Sequence, residues 1–161
     1  MVQKMLPIGK LATGIPGFDN ITDGGIPEGR TTLITGTSGS AKTVLASQFL
    51  AEGIQQLNET GVFVTFEEAP DEIRRNMHSF DWDIEKWEAE GKWMFVDASR
   101  HPSEEAVIIG SYDLGALLAR IRDAITRTGA RRVVMDSMSA ILTQLPDSTT
   151  VRGELFRIAS T

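Results

Sequence analysis

The chain has 161 residues, with 16 Lys and Arg against 22 Asp and Glu, for a net charge of −6. That balance gives no reason to expect nonspecific adhesion to nucleic acid, and the length suits one domain able to bury about two-thirds of its unfolded surface. No cysteine is present, which excludes disulfides and thiolate metal centres, and His78 and His101 stand outside any ligand cluster. No apolar run reaches the length of a membrane span, and Lys4 and Lys10 interrupt the apolar residues at the start, so no signal-peptide core is seen. The expectation is a soluble, cytoplasmic protein with no membrane partner.

The first informative element is the run Thr32–Thr35, a β-branched apolar strand leading into Gly36-Thr37-Ser38-Gly39-Ser40-Ala41-Lys42-Thr43. This is the layout of a phosphate-binding loop, G-x-x-x-x-G-K-[ST], with Ala41 where the second glycine is expected. Gly36 is expected to let the chain turn off the strand, and Gly39 to let bare backbone approach an anion. Ser38 and Ser40 lie within the loop. The N–H groups and dipole of the following helix, from Lys42 through Val44, favour phosphate oxygens. Lys42 supplies a charge for the outer phosphates, and the Thr43 hydroxyl can ligate Mg²⁺. A methyl at Ala41 is harmless in a helical conformation and obstructive where φ must be positive.

Leu45, Ala46, Phe49, Leu50 and Ile54 recur at helical spacing, giving a helix from Lys42 to about Gln56. A strand follows at Val62–Phe66 and ends in the paired carboxylates Glu67 and Glu68. Hydrolysis of a γ-phosphate needs a base that orients and deprotonates water, and a partly desolvated Glu suits that work. The plainer alternatives are solvated loop residues, or acidic groups favouring the N-terminus of the next helix. The catalytic role is preferred for at least one, with Glu67 ahead of Glu68. Pro70 opens a helix to about Phe80, with Asp71 and Glu72 in its first turn. A short helix, Ile84 to about Ala89, a strand, Trp93–Val96, and a loop, Ser99–Ser111, come next. The clearest helix runs from Asp113 to about Thr128, with Leu114, Leu117, Leu118, Ile121 and Ile125 on one face.

The last strand, Arg132–Met135, ends in Asp136, the Walker B arrangement, where the carboxylate would hold Mg²⁺ opposite Thr43. The alternative for Asp136 is a strand terminator or helix cap. Alternating strands and helices imply an α/β fold with a mostly parallel sheet, ligands binding beyond the carboxyl ends of the strands. Trp82, Trp87 and Trp93 are expected in the core rather than on a nucleobase. The pairs Arg74-Arg75 and Arg131-Arg132 are expected on solvated faces or strand flanks rather than on phosphate or nucleic acid.

Several segments resemble the RecA-like ATPases of the KaiC family. They are Thr13-Gly14-Ile15-Pro16-Gly17-Phe18-Asp19, Gly24-Gly25-Ile26-Pro27-Glu28-Gly29-Arg30, Thr65-Phe66-Glu67-Glu68 and Ser79-Phe80-Asp81-Trp82-Asp83, with Glu154-Leu155-Phe156-Arg157 near the end. The likeness is strongest to the amino-terminal ATPase domain found in that family, whose core ATPase serves a protein-based circadian clock. The resemblance implies a three-layer α/β/α domain over residues 13–161, preceded by an arm over residues 1–12. It implies a homo-hexamer with ATP between subunits, slow Mg²⁺-dependent hydrolysis and clock-type protein partners. Glu67 and Glu68 would be the catalytic carboxylates and Ser79 would lie near the nucleotide base. It also implies further strands beyond Thr161, so the domain is expected to be incomplete on its C-terminal side. Two other readings remain: a RecA-like recombination ATPase acting on DNA, and a regulatory module that binds ATP without turnover.

Overall fold

The computed structural model describes residues 9–99, 114–137 and 139. His101, the segment Ser103–Ser111, Asp113 and the segment Val151–Ile158 lie outside them. The described residues form, in chain order, β1 (Lys10–Leu11), α1 (Phe18–Ile21), β2 (Ile26–Pro27), α2 (Lys42–Leu57), β3 (Gly61–Thr65), α3 (Pro70–Met77), a 3-10 turn (His78–Phe80), α4 (Ile84–Ala89), β4 (Trp93–Asp97), α5 (Leu114–Thr128) and β5 (Arg132–Asp136). Strands β4, β3 and β5 lie side by side in that order, all parallel, and β1 pairs with β2 antiparallel. The β1–β2 ribbon has no periodic signal in the sequence, since each strand is only two residues long.

Alternation along the strands sorts the side chains into two layers. Val62, Val64 and Val96 face Leu117, Leu118, Ile121 and Ala124 of α5. Phe63 and Trp93 face the other way, against Leu50, Ala51 and Ile54 of α2, Ile73 and Met77 of α3, and Ile84 and Trp87 of α4. Phe63, Trp87, Trp93 and Phe95 pack with ring centroids 5.5 to 6.2 Å apart. The tryptophans therefore belong to this layer: Trp87 and Trp93 are buried, and Trp82 is partly buried against it. The result is the expected three-layer α/β/α arrangement.

The expected strand at Thr32–Thr35 is not formed. Its residues are exposed, Leu33 by 76% and Ile34 by 46%. A β-branched run becomes a strand only with a partner for its backbone groups, and among the described residues none lies alongside it. The outer edge of β5 is likewise unpaired among the described strands, with Val133 38% exposed.

Arg132 departs most from expectation. It is neither on a solvated face nor a phosphate ligand, but buried at the first position of β5. Nε donates to Glu59 Oε2 at 2.7 Å, Nη1 to Thr13 O at 2.9 Å and Phe49 O at 2.8 Å, and Nη2 to Ala12 O at 2.6 Å. Its guanidinium lies 4.5 Å from the centre of the Phe49 ring. Room for it exists because residue 53 of α2 is glycine: a Cβ there would sit 2.5 Å from Arg132 Nε. Arg131 remains an exposed strand flank, while Arg74 is drawn into a bidentate pair with Glu88 that fastens α3 to α4.

The segment anchored by Arg132 is also tied at Asp19. Asp19 Oδ1 accepts from Thr13 N at 2.9 Å and Thr13 Oγ1 at 2.6 Å, and Oδ2 accepts from Gly14 N at 3.0 Å. Burial pushes the Asp19 pKa up, but the hydrogen bonds from Thr13 and Gly14 and the charge of Arg132 outweigh it and hold the group below the usual carboxylate value.

Four substitutions check this account by stability measurements. Gly53→Ala normally stabilises a helix interior by about 1 kcal/mol, but here it lowers the urea midpoint, and Arg132→Ala costs about 3–5 kcal/mol because three carbonyls lose their donor and Glu59 keeps only the longer pair with Arg131. Ionised Asp19 is favoured in the folded chain, so its contribution is complete above about pH 4 and is lost as pH falls through its lowered value. The deficit of Asp19→Asn in urea titrations therefore shrinks on acidification below that point. Ala41 has φ 62° and ψ 28°, in the left-handed region, so Ala41→Gly raises stability by about 1 kcal/mol.

Candidate nucleotide-binding site

Only three residues, 58 to 60, separate α2 from β3, so the helix runs back against the strand. Leu50 lies against Gly61 and Gly53 against Arg132, the first residues of β3 and β5. At 1.5 Å per residue, Lys42 sits about 12 Å further along than Leu50, and β3 itself is about 13 Å long. The N-terminus of α2 and the carboxyl ends of β3 and β5 thus share one edge of the sheet.

The loop before α2 has the shape that its residues permit. Gly39 has φ 77° and no neighbour that a side chain would strike, so its need for glycine is conformational. At Gly36 a Cβ would lie 2.4 Å from Ser40 Oγ, so its need is close approach. The two glycines exchange the reasons expected of them. Ala41 adopts the glycine-type conformation in spite of its methyl, so the loop keeps its path at a cost in stability. Ser40 N donates to Thr37 O at 3.2 Å. Lys42 Nζ reaches back across the loop to Gly36 O at 3.0 Å and Thr37 O at 2.9 Å. The first intrahelical bond from this end runs from Leu45 N to Ala41 O at 2.9 Å. The N–H groups of Lys42, Thr43 and Val44 precede it and, by helix geometry, have no partner within the helix.

On the same edge, Thr65 and Asp136 are register partners closing β3 and β5, and Phe66 N donates to Asp136 O at 2.9 Å. Ser137, next after Asp136, donates its hydroxyl to Glu67 Oε1 at 2.6 Å. Glu67 is exposed and Glu68 partly buried. Glu68 Oε2 accepts from Asn76 Nδ2 at 3.2 Å, and Glu68 O accepts from Thr65 Oγ1 at 2.5 Å. The adjacent carboxylates are therefore held by different elements, Glu67 from β5 and Glu68 from α3. Asn76 and Ser137 have no motif-level signal in the sequence, because each bonds a carboxylate that only the fold brings near. Ser79 lies exposed in the 3-10 turn, at the far end of α3 from Glu68.

Among the described residues no three His, Cys, Asp or Glu side chains gather to hold a metal. The oxygen donors on offer are the Thr43 hydroxyl and the Asp136 carboxylate. Such a set suits Mg²⁺, which takes one or two protein oxygens and completes its shell with phosphate and water.

The KaiC ATPase family matches residues 11–161 of the chain. The chain is 60% identical over 153 residues to the circadian clock protein KaiC3 of Synechocystis, covering 95% of this chain and 30% of that protein. It is 48% identical over 153 residues to the circadian clock oscillator protein KaiC of Synechococcus elongatus, covering 95% and 29%. It is 46% identical over 157 residues to the KaiC of Thermostichus vulcanus, covering 98% and 30%. The chain thus spans about 30% of the length of the curated relatives it matches. Among the described residues no helix is long and apolar enough to cross a membrane. The fold and the match from residue 11 onward place this chain in the KaiC ATPase family.

Proposed function

We propose that this chain is the nucleotide-binding core of a KaiC-like ATPase that binds Mg-ATP and hydrolyses it in a hexameric ring. The observation that supports this reading is the meeting of three features at one sheet edge: the start of α2 with Lys42, the end of β5 with Asp136, and Glu67 joined to β5 through Ser137. The loop residues Gly36, Ser38, Gly39, Ser40 and Ala41 and the first turn of α2 surround the phosphates with backbone N–H groups. Thr43 and Asp136 would hold Mg²⁺, which when bound would neutralise phosphate charge.

In this reading Lys42 exchanges the carbonyls of Gly36 and Thr37 for the outer phosphate oxygens, and it counters charge that builds up as the bond to the leaving group breaks. Glu67 orients the attacking water and takes its proton, with Glu68 beside it. Ser79 contributes to the base site. The ring assembly, the clock or signalling role, the protein partners and the cytoplasmic setting belong to the longer protein. So does the division into an arm over residues 1–12 and a domain from residue 13. Named KaiC relatives are clock proteins, and the net charge of −6 weighs against DNA as a partner.

Light scattering on the full-length protein tests the reading. Mg-ATP shifts it to a hexamer, and Lys42→Ala weakens ATP binding by about tenfold or more, since a charge-assisted phosphate contact is lost. Unchanged ATP affinity in that variant would sink the phosphate-loop assignment.

A further inference from the structure

We propose that Asn76 is a positioning residue for Glu68, fixing from α3 the direction of the second carboxylate while Ser137 fixes the first from β5. The proposal deepens the hydrolytic reading above and rests on it. Glu68 sits in the turn between β3 and α3, and both its ends are held. Its carbonyl accepts from Thr65 Oγ1, whose residue is buried at the end of β3. Its carboxylate accepts from Asn76 Nδ2 at 3.2 Å.

The helix that carries Asn76 is itself firmly seated. Pro70 opens it with φ already set, and Glu72 Oε2 accepts from Ala69 N at 3.2 Å across its first turn. Ile73 and Met77 are buried in the aromatic layer, and Arg74 grips Glu88 with bonds of 2.6 and 2.7 Å. Asn76 faces out from this helix, and its side-chain amide makes no other hydrogen bond among the described residues. Its role is therefore not packing. What the amide does is set where Glu68 points, and a carboxylate misplaced by about 1 Å is enough to slow a reaction strongly.

The arrangement also keeps two like charges on adjacent residues from having to share one side of the turn. Glu67 is drawn toward the metal-binding strand and Glu68 toward α3. Without the Asn76 donor, only the backbone bond from Thr65 remains at Glu68, and the side chain rotates freely.

Steady-state Mg-ATP hydrolysis by the full-length protein tests this. Asn76→Asp keeps the shape and removes the donor, and Asn76→Ala removes the side chain. Both lower kcat by about tenfold, as expected for a hydrogen bond to a charged group, and leave the KM for ATP and the melting temperature unchanged. In a Glu68→Gln background, Asn76→Ala lowers kcat no further. Wild-type kcat in the Asn76 variants, full activity in Glu68→Gln, or an equal loss from Asn76→Ala in both backgrounds would overturn the assignment. Absence of turnover in the wild-type protein would overturn the hydrolytic reading itself, and this assignment with it.

Discussion

The guanidinium of Arg132 ties three parts of the chain to the start of β5. Burying a charge costs several kcal/mol unless it is paired and its donors are used. Here Glu59 supplies the counter-charge, three carbonyls take further donors, and the Phe49 ring covers the flat face. The partners come from three places: Ala12 and Thr13 from the segment after β1, Phe49 from the middle of α2, and Glu59 from the turn before β3. With Arg132 at its first position, β5 is fixed in height against α2. That height also sets how far along the sheet Asp136, four residues on, is carried. The anchor lies at one edge of the sheet and the proposed nucleotide site at the other.

The nucleotide edge is built on the same logic of short reach from rigid supports. Strand ends hold backbone in register, and single polar side chains then fix the neighbouring carboxylates and carbonyls. Thr65, Ser137 and Asn76 each make one hydrogen bond of consequence. None of the three packs the core in a way that would make it conspicuous by composition. The loop supplies the complementary half, with Lys42 folded over its own carbonyls and Ala41 held in a conformation that suits glycine better. A methyl at that point strains the backbone locally without rerouting it.

Much of this was legible in the sequence because periodicity reports burial. The stripe of Leu117, Leu118 and Ile121 marks α5, and the apolar run Val62–Val64 marks a strand covered on both faces. Ile84–Ala89 is a helix with the expected bounds, since Asp83 caps it by accepting from Lys86 N at 3.1 Å. Periodicity says nothing of a partner, and Thr32–Thr35 shows the cost: strand-type residues with no ladder beside them among the described residues. Arg132 is buried although charge next to a strand ordinarily means exposure, and nothing local announces that Gly53, far away in sequence, leaves it space. The glycine loop was recognised by spacing, yet spacing cannot separate a glycine needed for φ from one needed for room. Gly36 and Gly39 required the coordinates for that.

The Arg132 anchor also sets a timetable. Its bonds to Ala12 and Thr13 span 120 and 119 positions of sequence. At translation rates of 5–20 residues per second, about 6 to 24 s separate the synthesis of the two sides. Through that interval Glu59, Phe49 O and the segment around Thr13 have emerged, but the cation that joins them has not. Contacts of such long range close slowly because loop entropy must be overcome before they are rewarded. The N-terminal segment therefore lacks this anchor until the first residue of β5 has been made.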